Sequence, residues 1–379
     1  MTTPLSVFDL SPITSGSDAS QALRNSLDLA RETEALGFGR FWVAEHHLVP
    51  GVASSAPAAL VALIAAATST IRVGSAAVLL GNHSPLSAAD HFATIARLHP
   101  GRIDLGLGRT ATRLKSGEVP TRPKSPFTET RVVDGLVVPP PPPQIADPER
   151  FTRLGALLHT RPSEPGQYLA ELQTILDFLG EGHQEPGATE PVHSAVAAGA
   201  DLDVWVLGSS PGESARAAGE LGLPFGANYH VAPSAIVETV AAYREAFRPS
   251  KHLAEPYLVV SADVVVAPTD AEARRLAAGY GPWVHSIRAG RGAIEYPTPE
   301  AAEAFAWTEA DRAHVADRIA TQIVGDPDTV AERLRILQTA TGADELLITT
   351  VTHDHADRVR SYRLLAERWG LAPAPEGTR

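Results

Sequence analysis

The sequence predicts a (β/α)8 TIM barrel formed by a single domain over residues 1–379. Eight short apolar runs each precede a longer segment with helical periodicity, which is the order of a barrel built from repeated βα units. The runs are apolar throughout rather than alternating, as expected of parallel strands that are covered on both faces. An open doubly wound sheet is the alternative fold, but such sheets usually have fewer strands.

The predicted elements alternate along the chain, and the first helix ends where Gly37 follows it. Strands are expected at 5–10, 39–46, 71–80, 101–108, 201–208, 224–230, 257–267 and 344–352. Helices are expected at 19–36, 57–68, 85–98, 166–179, 212–221, 233–247, 270–279, 327–339 and 356–369. Each of the eight strands is therefore followed by at least one helix.

Two segments interrupt this alternation. The first, at about 110–165 after the fourth strand, is rich in proline, threonine, serine and charge, and includes a proline run at 139–143. Such a run is extended and semi-rigid and is not expected in a core. The segment could be functional, a surface excursion without chemistry, or a proline-rich ligand for a partner. The second, at about 281–325 after strand and helix 7, is predicted to be mostly helical.

Composition excludes several classes of function. Hydrophobic residues make up 44% of the chain and charged residues 20%, which allows a sizeable core. The formal net charge of −12 disfavours nucleic acid or an anionic membrane as the main partner, because both need clustered lysine and arginine. The chain has no cysteine, so disulfides, thiolate metal sites and cysteine nucleophiles are excluded. We see neither a signal-peptide pattern nor an apolar stretch of membrane-spanning length, and therefore expect a cytoplasmic protein.

Polar residues collect at the predicted C-terminal ends of the strands, where barrels of this kind carry their sites. The second strand ends in Glu45, His46 and His47, and the last is followed by a His-Asp-His sequence at 353–355. Histidine titrates near neutral pH, so these ends suit proton transfer or metal binding. Neighbouring residues on a strand point to opposite sides, so at most one of His46 and His47 faces the mouth. The first strand offers no His-x-His, which disfavours a metal, and the histidines of 353–355 are expected in a solvated loop.

The stretch GSSPGES at 208–214 joins the fifth strand to a helix and is the strongest ligand signal. Its small residues leave backbone N–H groups open, its serines offer hydroxyls, and a helix N-terminus attracts anions. Arg109, at the end of the neighbouring fourth strand, adds the forked donor that phosphate prefers. A serine N-cap without a ligand is the simpler alternative. Together with Arg109, the stretch favours a phosphate site.

Two glycine-containing stretches allow more than one interpretation. GLGRTA at 106–111 fits a degenerate dinucleotide fingerprint, but the residues after it do not form a helical pattern, so we reject that interpretation. Its glycines indicate that something flat or bulky approaches the strand end. The small residues of GSAAVLL at 74–80 indicate either a tightly packed barrel layer or room for a planar ring.

Several of these stretches resemble, in the same order, the bacterial luciferase-like flavin monooxygenases. The resemblance is carried by ALGFGRFWVAEHH, IRVGSAAVLL and SPLSAADHFATIARLHPGRIDLGLGR, by VLGSSPGESARAAGELGLPFGANYH, and by GDPDTVAERLRILQTATGADELLIT near the C-terminus. It is strong over 5–109 and poor over about 110–165 and 281–320. It implies a (β/α)8 barrel that binds a flavin at its mouth, with FMN as the cofactor and the deazaflavin F420 as the alternative.

The resemblance also implies roles for individual residues. His46 would be the catalytic histidine beside the flavin ring, a cis peptide bond between Ala76 and Ala77 would lie under the ring, and His230 would face the substrate. The cofactor-binding residues would lie at the ends of the third, fourth and fifth strands: Gly74, Ser75, Ala76, Ala77, Gly108, Arg109, Gly208, Ser209, Ser210, Gly212, Glu213 and Ser214. The aromatic residues Phe8, Tyr229 and Trp283 near the mouth indicate a partly apolar substrate.

The expected activity is the oxidation of a small organic substrate by reduced FMN and O2. No nicotinamide fingerprint is visible, so a separate NAD(P)H:flavin reductase is expected to supply the reduced flavin. The resemblance implies a homodimer through the alanine-rich helices after the second and third strands. Gly108 stands where luciferase has a reactive cysteine, so light emission on long aldehydes is not implied. Three alternatives stay open: an F420-dependent hydride-transfer enzyme, a metal-dependent hydrolase, and a non-catalytic flavin-binding protein.

Overall fold

A computed structural model of the chain describes residues 2–109, 127–142, 148–161 and 164–373. The strands are β1 (Leu5–Asp9), β2 (Arg40–Val43), β3 (Arg72–Ser75), β4 (Val78–Leu79), β5 (Ile103–Gly108), β6 (Arg131–Val133), β7 (Leu136–Val138), β8 (Leu202–Gly208), β9 (Phe225–Ala227), β10 (Leu258–Val266), β11 (Ile323–Gly325) and β12 (Glu345–Thr349). The helices are α1 (Ala19–Ala35), α2 (Pro57–Ala67), α3 (Pro85–Leu98), α4 (Pro148–Leu157), α5 (Gln167–Leu179), α6 (Glu213–Glu220), α7 (Ile236–Ala246), α8 (Asp270–Leu276), α9 (Tyr280–Arg288), α10 (Pro299–Glu303), α11 (Glu309–Thr321), α12 (Pro327–Thr341) and α13 (His355–Trp369). None of the described helices combines the length and the apolar character needed to cross a membrane.

Eight of the strands close into a parallel barrel, which confirms the predicted fold. Around the ring the hydrogen-bonded order is β1, β2, β3, β5, β8, β9, β10 and β12, and β12 pairs with β1 to close it. Each predicted strand contains one ring strand, and a cis peptide bond between Ala76 and Ala77 divides the third into β3 and β4. Because the ring pairings are parallel, the C-terminal ends of the strands meet at one mouth.

Side chains alternate between an outer and an inner apolar layer along each ring strand. In β2, Phe41 and Val43 pack in the outer layer with residues of the surrounding helices, whereas Trp42 and Ala44 belong to the inner layer. The ring of Trp42 meets that of Trp205 from β8 edge-on, with centroids 4.9 Å apart. Both faces of the strand are therefore buried, which explains why the strands are apolar throughout.

A buried ion network fills the N-terminal half of the barrel. Asp104 is fully buried and accepts hydrogen bonds from Arg40 at 2.8 Å, from Arg72 at 2.6 Å and from the indole nitrogen of Trp42 at 2.8 Å. Arg40 also pairs with Glu345 at 3.2 Å. The charges from β2, β3, β5 and β12 compensate one another, so removing one of them leaves a buried charge without its partner.

The first insertion is partly packed on the barrel. Residues 110–126 and 143–147 lie outside the described part of the chain, but β6 and β7 form an antiparallel hairpin between them. Leu136 and Val138 of this hairpin are buried in the outer apolar layer. The residues just before the proline run therefore pack apolar side chains on the barrel.

The second insertion is mostly helical, as predicted, and contains α9, α10 and α11 before β11 pairs with β10. Arg288 of α9 pairs with Asp317 of α11, with Nη2 and Oδ2 2.7 Å apart. His285 of α9 contacts Asp311 of α11 at 2.9 Å. Side-chain pairs therefore fix these two helices to each other.

We predict that Asp104→Asn lowers the free energy of unfolding by about 3 kcal/mol, because Arg40 and Arg72 lose a buried carboxylate. The matched control is Asp203→Asn, since Asp203 also contacts Arg72 at 2.6 Å but its side chain is 54% exposed. The control should lose less than about 1 kcal/mol. Urea unfolding followed by circular dichroism measures both, and equal losses would contradict the assignment.

Candidate functional site

A cavity of about 680 Å³ opens at the C-terminal ends of the ring strands. Seven of the eight ring strands contribute residues at or just beyond their ends, from Phe8 at β1 to Asp263 at β10. The second insertion completes the wall with Trp283 and Ile287 of α9 and Arg318 of α11. The mouth of the barrel is therefore a single chamber with contributions from the ring and from an insertion.

His46 and Glu45 line this cavity, whereas His47 does not. His46 continues the inward alternation of Trp42 and Ala44, and its backbone N–H donates to the carbonyl of Ser54 at 2.7 Å. Its Nδ1 is buried and has no hydrogen-bond partner among the described residues. Burial lowers the pKa of His46 to about 4, although the nearby Glu45 carboxylate opposes this shift. The imidazole is therefore uncharged at neutral pH, and its Nδ1 is an unsatisfied polar atom in the wall of the chamber.

Glu45 organises the loops around His46. Its buried carboxylate accepts hydrogen bonds from the backbone N–H of Leu79 at 2.9 Å and from Asn82 at 3.1 Å. It also contacts ring nitrogens of His47 at 2.8 Å and His83 at 3.1 Å. Burial raises the pKa of Glu45, but the hydrogen bonds from His83, Leu79 and His47 outweigh it, and the net shift is downward. Glu45 therefore joins the end of β2 to the loop between β4 and α3.

The small residues Gly74 and Ser75 at the end of β3, and Ala76 and Ala77 just after it, serve two different purposes. Ala76 and Ala77, which the cis peptide bond joins, line the cavity. Gly74 does not: a Cβ atom there would lie 2.4 Å from the carbonyl oxygen of Asp104. Ser75 bonds the backbone of Gly106 on β5, as donor at 2.9 Å and acceptor at 3.1 Å. Gly74 and Ser75 therefore pack the barrel wall, and only the two alanines reach the chamber.

The stretch at 208–214 forms one end of the cavity together with Gly108, the last residue of β5, and Arg109, which follows it. The predicted residues that line the chamber here are Gly108, Arg109, Gly208, Ser209, Ser210 and Ser214. Gly212 is the N-cap of α6 and makes no side-chain cap hydrogen bond, so the alternative of a simple serine cap does not describe this helix. The first backbone N–H groups of α6 thus lack a side-chain cap.

Arg109 and Glu213 form an ion pair at this end, with Nη1 and Oε2 3.0 Å apart. The second oxygen of Glu213 accepts a hydrogen bond from the backbone N–H of Gly166 at 3.0 Å. Nε of Arg109 is buried and has no partner among the described residues. The arginine, the serine hydroxyls and the helix N-terminus together offer donors that suit an anion.

The residues predicted to face the substrate divide between the two sides of the wall. Phe8 and His230 line the cavity and contact each other edge-on, with centroids 5.4 Å apart. Tyr229 is placed differently from the prediction: it packs in the outer layer, and its hydroxyl donates to the carbonyl of Val137 at 2.7 Å. The reason is alternation, because Asn228 and His230 point inward and the residue between them points outward.

A polar cluster that the sequence analysis missed lies in the same wall. Arg318 donates from Nε to the hydroxyl of Tyr280 at 2.8 Å and from Nη2 to Asp263 at 3.2 Å. The Tyr280 hydroxyl also donates to Asp263. Asp263 could have been predicted from the sequence. It lies two positions after Ser261 in an otherwise apolar strand, so both side chains lie on the same face of that strand. Arg318 carried no such signal, because it lies in an insertion.

The histidines at 353–355 do not line the cavity. His353 contacts the hydroxyl of Ser15 at 3.1 Å, and His355, the first residue of α13, contacts Asp28 at 2.8 Å. The side chain of Asp354 caps α13. This sequence therefore joins the last loop to α1 and to the loop before it. Among the described residues, no group of three or more His, Cys, Asp or Glu side chains is arranged to hold a metal ion.

The sequence matches the family described as luciferase-like monooxygenase over residues 3–131 and 152–345. The chain belongs to this family. Membership agrees with the barrel, with the chamber at its mouth and with the cis peptide bond that the resemblance implied. It makes the protein an oxidoreductase.

Relatives cover the chain from end to end. A luciferase-like monooxygenase of Escherichia coli (strain K12) is 32% identical over 363 residues, which is 96% of each chain. The crystal structure of apo-MsnO8 has a TM-score of 0.78 at 33% identity and covers 98% of this chain and 100% of its own. The oxygenating constituent of 3,6-diketocamphane monooxygenase from the CAM plasmid of Pseudomonas putida, in complex with FMN, has a TM-score of 0.67 at 18% identity and covers 97% of this chain and 98% of its own. At that identity the last comparison shows a shared fold alone.

We predict that the stability conferred by neutral His46 is lost as the pH falls from about 6.5 towards 4. The unfolded chain takes up the histidine proton near pH 6.5, whereas the folded chain resists until about pH 4, so protonation favours unfolding in this window. The wild type should lose up to about 3 kcal/mol relative to His46→Gln across it. Urea unfolding at several pH values measures the difference, with pH 8 as the control for packing. A difference that does not change with pH would contradict the burial of this imidazole.

Proposed function

We propose that the protein is a monooxygenase that uses reduced FMN and O2 to insert one oxygen atom into a small, partly apolar organic substrate. One observation carries the proposal: a single cavity has donors that suit an anion at one end, from Arg109 and the uncapped start of α6, and a second region lined by the imidazole of His46, whose buried Nδ1 has no partner among the described residues. FMN has the same division, with a phosphate at one end and a planar redox-active ring at the other.

The residues present fit this cofactor. Arg109, the serines of 209–214 and the first N–H groups of α6 would hold the phosphate. Ala76 and Ala77 would flank the ring, since they line the chamber and present only methyl groups. Glu213 would hold Arg109 in place before the phosphate arrives. Among the predicted cofactor-binding residues, Gly74 and Ser75 would act only by shaping the wall.

The bound flavin supplies two electrons, and O2 supplies both the inserted oxygen and the oxygen of the water that is formed. His46 would accept and return a proton, since its low pKa keeps the imidazole uncharged at neutral pH. Glu45 orients the loop that carries His46 through its hydrogen bonds to Leu79 and Asn82. Phe8 and Trp283 exclude water from the reacting end.

FMN is favoured over F420 by the Glu-His-His sequence at 45–47, from which F420-dependent members of the family usually depart. The shared fold does not decide between them, since neighbours include one described in complex with FMN and one described as F420-dependent. A separate NAD(P)H:flavin reductase as the source of reduced flavin is part of the same proposal.

A homodimer through α2 and α3 is also proposed. Leu63 of α2 and Leu86 and Leu98 of α3 are exposed apolar side chains on these two helices. Contact with a second copy would remove them from water. We expect light scattering to give twice the mass of one chain, and the mass of a single chain at micromolar concentration would contradict the dimer.

We predict that the wild type binds FMN more tightly than riboflavin, which lacks the phosphate, and that Arg109→Gln removes this difference. Loss of one charge-assisted contact should weaken FMN binding roughly tenfold to a hundredfold and leave riboflavin binding unchanged. Flavin fluorescence titration measures both affinities. Glu213→Gln is the matched control, because it keeps the arginine and removes its competing carboxylate, so FMN affinity should stay equal or rise.

The same titration separates the alternatives. Tight binding of F420 in place of FMN would support hydride transfer on the same fold. Stoichiometric zinc or manganese in the purified protein without flavin affinity would support a hydrolase. Tight FMN binding without O2-dependent turnover on any substrate would support a non-catalytic flavin-binding protein.

We predict that His46→Gln keeps the affinity for FMN but loses roughly a hundredfold to ten-thousandfold in substrate oxidation, the usual contribution of a positioned acid or base. A panel of small apolar compounds is incubated with reduced FMN and isotopically labelled O2, and incorporation of label is followed by mass spectrometry. His47→Gln is the control, because His47 contacts Glu45 and does not line the cavity. Full activity of His46→Gln would overturn the role of His46.

A further inference from the structure

Arg318 is a buried cation in the cavity wall to which the proposed reaction assigns no task. Its side chain is 7% exposed, and it reaches the chamber from α11 of the second insertion. A guanidinium taken out of water costs free energy unless it is paired and hydrogen-bonded. Its position in a ligand cavity therefore needs an explanation beyond helix packing.

The partners of Arg318 fix the plane of its guanidinium and leave one nitrogen free. Nε donates to Tyr280 and Nη2 donates to Asp263, and these two residues bond each other. Nη1 makes no hydrogen bond within the described part of the chain. It is not among the fully buried atoms that lack a partner, so part of its surface is accessible. The guanidinium is thus held along one edge, while Nη1 can donate a hydrogen bond to a molecule in the chamber.

Arg318 lies on the side of the chamber opposite Ala76 and Ala77. Asp263 belongs to β10, which is four places from β3 in the ring of eight strands and therefore faces it across the barrel. The cavity lining also includes the apolar side chains of Trp283, Ile287 and Phe8. If the flavin ring lies against the two alanines, the substrate lies between the ring and this wall.

The charges around this region balance without a ligand. Asp263 compensates Arg318, and both side chains are more than nine-tenths buried. Burial lowers the pKa of His46 and of His230, so both imidazoles are uncharged at neutral pH. Glu45 is engaged by His83, His47 and Leu79. An anionic substrate group would find no uncompensated cation here, whereas a neutral acceptor oxygen would satisfy Nη1 and leave the charge balance intact.

We propose that Arg318 is a substrate-binding residue that donates from Nη1 to an uncharged acceptor oxygen, such as that of a ketone, ester or amide. The substrates are therefore uncharged molecules with an apolar body and a carbonyl-type oxygen. Their oxidation rests on the proposed function, but their binding at Arg318 does not require the flavin. The acceptor contact fixes which part of the substrate faces the ring.

Three probes of nearly equal shape test this binding. Acetophenone has a carbonyl oxygen, α-methylstyrene replaces it with a methylene group, and benzoate carries a charge. Calorimetry with the FMN-loaded and the flavin-free protein gives the affinities. We expect acetophenone to bind roughly tenfold to a hundredfold more tightly than α-methylstyrene, and more tightly than benzoate. Arg318→Met should bring acetophenone down to the affinity of α-methylstyrene.

The matched control is Arg312→Met. Arg312 is another cation of α11, but it lies over the ring of Trp307 and does not line the cavity. It should leave the preference for acetophenone unchanged. If Arg318→Met does not fold, Asp263→Asn combined with Arg318→Met removes both buried charges and tests the same contact.

Equal affinity for acetophenone and α-methylstyrene in the wild type would overturn the proposal. So would tighter binding of benzoate, no measurable binding of acetophenone, or a preference that survives the loss of Arg318. Failure of the proposed function has a different signature, because FMN affinity is measured separately. A preference that depends on Arg318 in a protein that does not bind FMN would contradict the reaction and leave the binding site standing.

Discussion

The hydrogen bonds of one buried carboxylate, Glu45, hold the loops on which the chamber depends. Alternation along β2 sends His46 inward and turns Glu45 towards the loop between β4 and α3. There it gathers a backbone N–H, the amide of Asn82 and two imidazoles. Burial alone would favour a neutral carboxylic acid, but these contacts stabilise the charged form more strongly. The residue before the candidate acid–base group therefore provides the anchor that keeps that group facing the chamber.

The chamber has two walls of different origin. Ring strands supply the side with Ala76, Ala77, Arg109 and the start of α6, and parallel backbone pairing fixes their relative positions. The second insertion supplies the other side, where Trp283 and Arg318 are held by side-chain contacts to Asp263 and between α9 and α11. A cofactor suits the ring, because backbone pairing fixes the geometry of the strand ends. Substrate recognition suits the insertion, because its helices can change without altering the barrel.

Strand periodicity explains both the successes and the failures of the sequence analysis. The alternation of apolar runs and helices predicted the barrel, and the opposite directions of neighbouring residues allowed only one of His46 and His47 at the mouth. The same rule, applied to Asn228, Tyr229 and His230, would have placed Tyr229 outside, where it bonds the hairpin of the first insertion. The small residues could not be assigned in this way. Gly74 packs against Asp104 and Ala76 lines the chamber, and a small side chain is needed in both places. For Arg318 no periodicity was available, because the strand that α11 approaches depends on tertiary packing.

The two arginines of the chamber are balanced in ways that suit different ligands. Arg109 pairs with Glu213 where their side chains are 33% and 23% exposed, so water can solvate the carboxylate if the arginine turns to another anion. Arg318 pairs with Asp263 where the side chains are 7% and 8% exposed, and separating that pair would leave a carboxylate without solvent. A phosphate can therefore replace Glu213 as the ion-pair partner of Arg109 with little loss of free energy. Arg318 stays paired with Asp263 and can only donate a hydrogen bond to a ligand. The end of the cavity at Arg109 therefore suits a charged group, and the wall at Arg318 suits an uncharged one.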